Sequence, residues 1–163
     1  MVNEKTETAT FAAGCFWGIE ASFRKVKGVV NATVGYSGGC AANPTYEEVC
    51  TDRTGHTESV LVEYDPSAVS YDQLLGVFWS IHDPTTRNRQ GPDVGTQYRS
   101  VIFYHTPEQR DKAMASKAKE EGSGRFGGRG IVTEIVSALT FYPAEEYHQR
   151  YHEKHGLRGC RIG

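Results

Sequence analysis

Residues 8–26 read TATFAAGCFWGIEASFRKV. The first six alternate and end in small side chains, as a strand does on entering a core. From Cys15 to Val26 the spacing becomes helical, with Phe16, Ile19, Phe23 and Val26 roughly on one stripe. This one stretch therefore specifies a strand that feeds a helix. The chain continues in the same manner. VVNATVGY (29–36) predicts a strand closed by Gly38 and Gly39, and SVLVEY (59–64) alternates as a strand does. Ser70 caps a predicted helix through about Ile81, with Leu74, Leu75, Phe78 and Trp79 on its apolar side. YRSVIFY (98–104) predicts a strand, and Thr106 and Pro107 supply the cap and first turn of a helix to about Glu121. GSGRFGGRG is expected to be a flexible loop, IVTEIVSAL a strand, and Ala144 to about His155 a last helix.

The core order is thus strand, helix, strand, strand, helix, strand. It predicts an α+β two-layer sandwich with a ferredoxin-like βαββαβ core and a mixed sheet. There is no internal repeat and no dividing linker, so residues 1–163 are expected to form a single domain. Its core covers about 8–155, and a loose C-terminal tail at about 156–163 carries a cysteine.

Composition narrows the function. With 38% hydrophobic and 23% charged residues among 163, the chain can bury a core. A formal net charge of −2 argues against a nucleic-acid coat or a membrane-surface protein. No apolar run approaches the roughly 18 residues that span a bilayer. The opening MVNEKTETAT has no signal-peptide core, which places the expected site of action in the cytoplasm. The four cysteines, Cys15, Cys40, Cys50 and Cys160, show neither C-x-x-C pairing nor zinc-finger spacing. In a cytosolic chain that leaves catalysis or redox chemistry as their expected use.

Cys15 falls at the strand-to-helix junction, where unpaired N–H groups and the helix dipole favour an anion and sharpen a thiol nucleophile. Adjacent helical residues diverge by about 100°. Phe16 and Trp17 therefore cannot both face the core, and one is expected to wall a pocket for a small apolar group. Tyr46 follows the Asn43–Pro44 turn and offers an O–H donor. Glu58 shares the parity of Val60 and Val62, so its carboxyl points inward. Desolvation there raises its pKa and makes it a proton donor near neutrality. The Gly- and Pro-studded loop DPTTRNRQGPDVGTQYRS (83–100) is of a length that is usually functional, and Asp93 and Tyr98 are its candidate polar groups. Two rival readings stand beside this one. The first is a hydrolase using Cys15 with His56. The second is a metal or redox-sensing module on His148, His152 and His155, spaced along one helical face near Cys160.

Taken together, GCFWG, GYSGG, NPTYEEV, TGHTESV, YDQLLGVFW, HDPTTRNRQGPDVGTQYRS, TEI and FYPAEEYHQRY resemble the A-type peptide methionine sulfoxide reductases. The resemblance covers roughly residues 8–155. It implies that Cys15 attacks the sulfoxide sulfur, that Phe16 and Trp17 hold the substrate methyl, and that Tyr46, Glu58 and Tyr98 bind the sulfoxide oxygen. Glu58 is the implied acid, and Asp93 positions substrate or water. The implied substrate is the S epimer of methionine sulfoxide, free or in peptides. The implied reductant is thioredoxin, with no cofactor and no metal. Cys160 is the expected resolving thiol, with Cys40 as the alternative, and Cys50 is assigned to packing. A monomer is expected.

Overall fold

The computed structural model describes residues 6–155. β1 (Glu7–Ala13) leads into α1 (Phe16–Arg24), followed by β2 (Val29–Ser37), α2 (Tyr46–Cys50) and β3 (Thr57–Tyr64). Next come α3 (Tyr71–Ser80), the small strands β4 (Arg89–Gln90) and β5 (Asp93–Val94), and β6 (Ser100–Tyr104). The described chain closes with α4 (Pro107–Gly122), β7 (Glu134–Ser137), β8 (Tyr142–Pro143) and α5 (Tyr151–Lys154).

One six-stranded sheet runs in the order β7-β6-β1-β3-β2-β8. Its centre, β6-β1-β3-β2, is the ferredoxin-like arrangement that the element order predicts. β1 lies antiparallel to both β3 and β6, and β2 lies antiparallel to β3. β7 adds a parallel edge beside β6, so the sheet is mixed.

The side-chain parity of the strands decides where the core sits. Ala9 and Phe11 of β1, Ala32, Val34 and Tyr36 of β2, and Val60, Val62 and Tyr64 of β3 enter one buried cluster with the apolar sides of α1 and α3. Phe11 stacks on Phe23 at 5.1 Å and on Phe78 at 5.3 Å between ring centroids. Each such pair adds about 0.5–1.5 kcal/mol beyond area burial. The helix starts follow their predicted caps. Ser70 and Gln73 form a reciprocal capping box, and the Thr106 side chain accepts the Gln109 N–H. No helix among the described residues is long and apolar enough to cross a membrane.

Three expectations change. First, NPTY is not merely a turn: Thr45 caps α2 in a capping box with Glu48, so Tyr46 opens a helix. Second, the strand expected over 131–139 pairs only at Glu134–Ser137. Third, the helix expected from Ala144 to His155 is broken. Residues Glu146–His148 make a single 3-10 turn, and Arg150 takes a left-handed conformation with φ 53° before the four residues of α5. The break has a physical cause in Gln149. Its amide accepts the Val34 N–H at 3.0 Å and donates to the Val34 carbonyl at 3.0 Å, standing in for a strand neighbour on β2. The buried Glu20 carboxylate then takes the Arg150 N–H at 2.8 Å and pins the segment to α1. As a result His148 and His152 lie on different elements, and the three histidines do not share a helix face.

Candidate active site

Gly14 makes the turn between β1 and α1. Its φ is +104°, and a Cβ there would meet Gln90 Cγ at 2.8 Å. Only glycine meets both conditions without strain, and the turn presents Cys15 as the residue preceding the first turn of α1. Cys15 is half-buried. Phe16 is buried, whereas Trp17 is half-buried, so the two rings diverge as the helical period requires.

Glu58 is 2% exposed and lies on the core-facing side of β3, as parity predicts. Its Oε1 accepts the Phe16 N–H at 3.2 Å, the first amide of α1. Burial pushes its carboxyl up to about 8; the Phe16 N–H opposes this, and the charge of Asp93 adds to it. Glu58 is therefore mainly a neutral acid at pH 7. Its hydrogen-bonded oxygen faces the helix start that carries Cys15.

Two phenols complete the polar side. Burial first, then a hydrogen bond to Cys50 and the charge of Glu58, raise the Tyr46 hydroxyl well above its ordinary value. The Tyr98 hydroxyl is raised by burial, then by Glu58, Asp93, Cys50 and Cys15. These influences bring Cys15, Tyr46, Glu58, Asp93 and Tyr98 into one neighbourhood, and both phenols keep their protons to donate. Tyr98 belongs to a 3-10 turn, Thr96–Tyr98, not to the following strand. Asp52 anchors that turn by accepting the Thr96 N–H at 2.8 Å. Asp93 sits in the small β4–β5 ribbon within the long loop.

The aromatic side includes residues that sequence reasoning passed over. Trp17 stacks on Tyr151 with ring centroids 3.8 Å apart and 8° between planes. Its indole N–H donates to His148 Nδ1 at 2.9 Å. His148 is fully buried and packs against Phe16, Tyr46 and Tyr147, at 5.2, 4.5 and 4.1 Å between ring centroids. Glu145 accepts the Tyr36 hydroxyl at 2.9 Å and the Tyr46 N–H at 3.0 Å. The signal for this group was the polar pattern of FYPAEEYHQRY, which a continuous helix would have scattered over several faces.

Other candidates fall elsewhere. His56 is buried and spends both ring nitrogens on the backbone, accepting the Gly39 N–H at 3.1 Å and meeting the Ala41 carbonyl at 2.6 Å. It is thereby committed to the turn after β2 and not to a hydrolytic pair. Cys40 is exposed on that same turn. Cys50, expected to serve packing, is instead exposed at the end of α2 beside Tyr46; partial burial raises its thiol, the Tyr46 hydrogen bond opposes this, and Glu58 and Glu47 add to it. Cys160 lies outside the described residues. Among the described residues no group of three His, Cys, Asp or Glu side chains is placed to hold a metal.

A ferredoxin-like sandwich that brings a cysteine and a buried neutral carboxyl to one helix start has the parts a thiol-dependent oxidoreductase needs. The family model described as "Peptide methionine sulfoxide reductase" matches residues 7–163. A relative from Methanothermobacter thermautotrophicus, named peptide methionine sulfoxide reductase MsrA, is 63% identical over 162 residues, 99% of this chain and 95% of that one. Methionine sulfoxide reductase A of Corynebacterium diphtheriae superposes with a TM-score of 0.90 at 41% identity, covering 97% of this chain and 79% of that one. Mxr1 of Saccharomyces cerevisiae, solved in complex with Trx2, superposes with a TM-score of 0.64 at 29% identity, covering 97% and 88%. The chain belongs to the peptide methionine sulfoxide reductase family. Its activity is the thiol-dependent reduction of methionine sulfoxide to methionine.

Proposed function

We propose that Cys15 is the nucleophile, Glu58 the proton donor, and Phe16 with Trp17 the methyl pocket, acting on the S epimer of methionine sulfoxide. The carrying observation is the Glu58 carboxyl: buried, neutral near pH 7, and bonded to the amide that follows Cys15. With Oε1 accepting that N–H, the protonated oxygen is left to face the substrate. A sulfoxide oxygen leaves poorly unless it gains a proton, and Glu58 supplies one as the sulfur is attacked. Tyr46 and Tyr98 donate to the oxygen as its negative charge grows. Burial keeps Glu58 protonated, the charge of Asp93 adds to it, and Asp93 helps to place the substrate. The Cys15 thiol takes up the oxygen as a sulfenic acid while methionine departs as the sulfide, a two-electron exchange between the two sulfurs. A pocket that fixes methyl on one wall and oxygen on the other admits one epimer.

Recycling uses a second thiol. Cys160 attacks the sulfenic sulfur, water leaves, and the disulfide passes its oxidation to a thioredoxin. The complex of the similar Mxr1 with Trx2 supports that partner. The position of Cys160 in the glycine-flanked stretch GLRGCRIG supports its role as resolver. The chain works as one domain and as a monomer in the cytoplasm. A formal net charge of −2 supports action away from nucleic acid and anionic membrane surfaces.

Two measurements test the reading. Given separated epimers, thioredoxin and its reductase, the protein is expected to turn over the S epimer and leave the R epimer untouched. Turnover of R at a comparable rate would overturn the pocket assignment. The Cys160→Ser variant is expected to release about one sulfide per chain and then stall. Sustained turnover by that variant would remove Cys160 as resolver. If stalling then follows only on the added change Cys40→Ser, the role passes to Cys40.

A further inference from the structure

Glu145 ties β2 and the start of α2 to the closing segment that also carries His148. Its Oε1 accepts the Tyr36 hydroxyl from β2, and its Oε2 accepts the N–H of Tyr46 at the start of α2. Oε1 also stands 3.9 Å from Nε2 of His148. That distance is too long for a direct hydrogen bond, and close enough for the carboxylate's charge to favour a proton on that nitrogen. Burial works against the charge on Glu145, yet the Tyr46 N–H, its own backbone N–H and the Tyr36 hydroxyl together hold its carboxyl below the ordinary value. It is therefore an anion at neutral pH.

His148 is fully buried, and burial keeps its imidazole below the ordinary value despite Glu145 and Glu47. A neutral imidazole carries one proton and one acceptor. Nδ1 receives the Trp17 indole N–H at 2.9 Å, so the proton resides on Nε2. Among the described residues Nε2 has no direct hydrogen-bond partner. The neighbours packed on the ring, Phe16, Tyr46 and Tyr147, meet it with aromatic faces and edges. With the proton on Nδ1 instead, two N–H groups would confront each other and the indole would lose its tether.

We propose that Glu145 is a positioning residue for sulfoxide reduction: it holds the His148 proton on Nε2, which keeps Nδ1 as the acceptor that fixes the Trp17 indole. This rests on the assignment of Trp17 to the methyl pocket above. The chain of influence runs from carboxylate to tautomer to indole orientation, and Glu145 itself touches no reacting atom. The same carboxylate steadies the start of α2, so the oxygen side and the methyl side of the pocket share one support.

The test begins with the unaltered full-length protein. Long-range proton–nitrogen NMR correlations of 15N-labelled protein at neutral pH are expected to show His148 as the single neutral tautomer protonated at Nε2. A proton on Nδ1, or an imidazolium, would overturn the proposal. In Glu145→Gln the amide oxygen still serves the Tyr46 N–H, but the charge is gone. Its His148 signals are expected to report a mixture of tautomers. KM for the S epimer should rise about five- to tenfold with kcat held within about twofold. Added to Trp17→Phe, which has no indole N–H to hold, Glu145→Gln should raise KM no further. An unchanged KM in the single variant, or effects that multiply in the double one, would overturn the proposal. If the unaltered protein forms no sulfide from either epimer, the functional assignment falls, and the NMR still decides whether Glu145 sets the tautomer.

Discussion

Cys15→Ser is expected to abolish sulfide formation in a single-turnover assay, with a fall on the order of 10⁴- to 10⁶-fold, as for removal of an enzymic nucleophile. Sulfur is needed here for two reasons. It reacts as the thiolate, which a helix N-terminus stabilises, whereas a serine hydroxyl remains protonated. It must also accept the oxygen and rise one step in oxidation state, which a hydroxyl oxygen cannot do. The variant should still fold. Cys15 precedes the first turn of α1 with no side-chain cap bond, and serine is a favoured residue there, worth about 0.5–2 kcal/mol over a poor cap. A serine variant with normal or raised thermal stability that makes no sulfide is the expected result. Sulfide formation at more than a trace would remove Cys15 as nucleophile.

The second large effect is expected at Glu58. Glu58→Gln keeps the Phe16 N–H acceptor and the side-chain volume but carries no transferable proton. The reductive step should slow by about 10²- to 10⁴-fold near pH 7, while Cys15 remains open to alkylation. In the unaltered protein the same step should fall as pH rises through about 8, where Glu58 loses its proton. The stability of the fold carries a matching signature. The folded carboxyl binds its proton up to about 8, above the ordinary 4.5 of the unfolded chain. Between those values the folded state holds more protons, so its stability is full at the acid end and declines toward the alkaline end. The slope is about 1.4 kcal/mol per pH unit. Glutamine has no such dependence, so Glu58→Gln should be more stable than the parent above pH 8 and far less active. A single-turnover rate unaffected by the substitution would contradict the acid role.

The parts legible in the sequence were those with a period. Parity along 58–64 puts Glu58 on the core side of its strand, and the caps at Ser70 and Thr106 start their helices. The divergence of Phe16 and Trp17 follows from helical geometry alone. What stayed hidden lacks a period. The segment from Ala144 has helix-forming composition, but its course is decided by tertiary bonds: the Gln149 amide on β2 and the Glu20 carboxylate on Arg150. Those bonds outweigh local propensity. As one helix, that segment would carry His148, His152 and His155 on one face as a candidate metal set. His148 is instead a buried ring that holds Trp17. The hydrogen bonds of the Glu145 carboxylate left no local trace, since Tyr36 and Tyr46 are remote from it in sequence.

That closing segment also orders the protein's own birth. Trp17 and His148 are separated by 131 positions. At a synthesis rate of roughly 5–20 residues per second, the nucleophile emerges many seconds before the ring that steadies its pocket. During that interval the nascent chain carries Cys15 and Trp17 without the ring that will fix the indole. A chain interrupted before Ala144 never acquires that ring, although it holds Cys15, Phe16, Trp17, Tyr46, Glu58, Asp93 and Tyr98. Translation thus sets the order of arming: the reagent is made first, and the parts that restrain it come last.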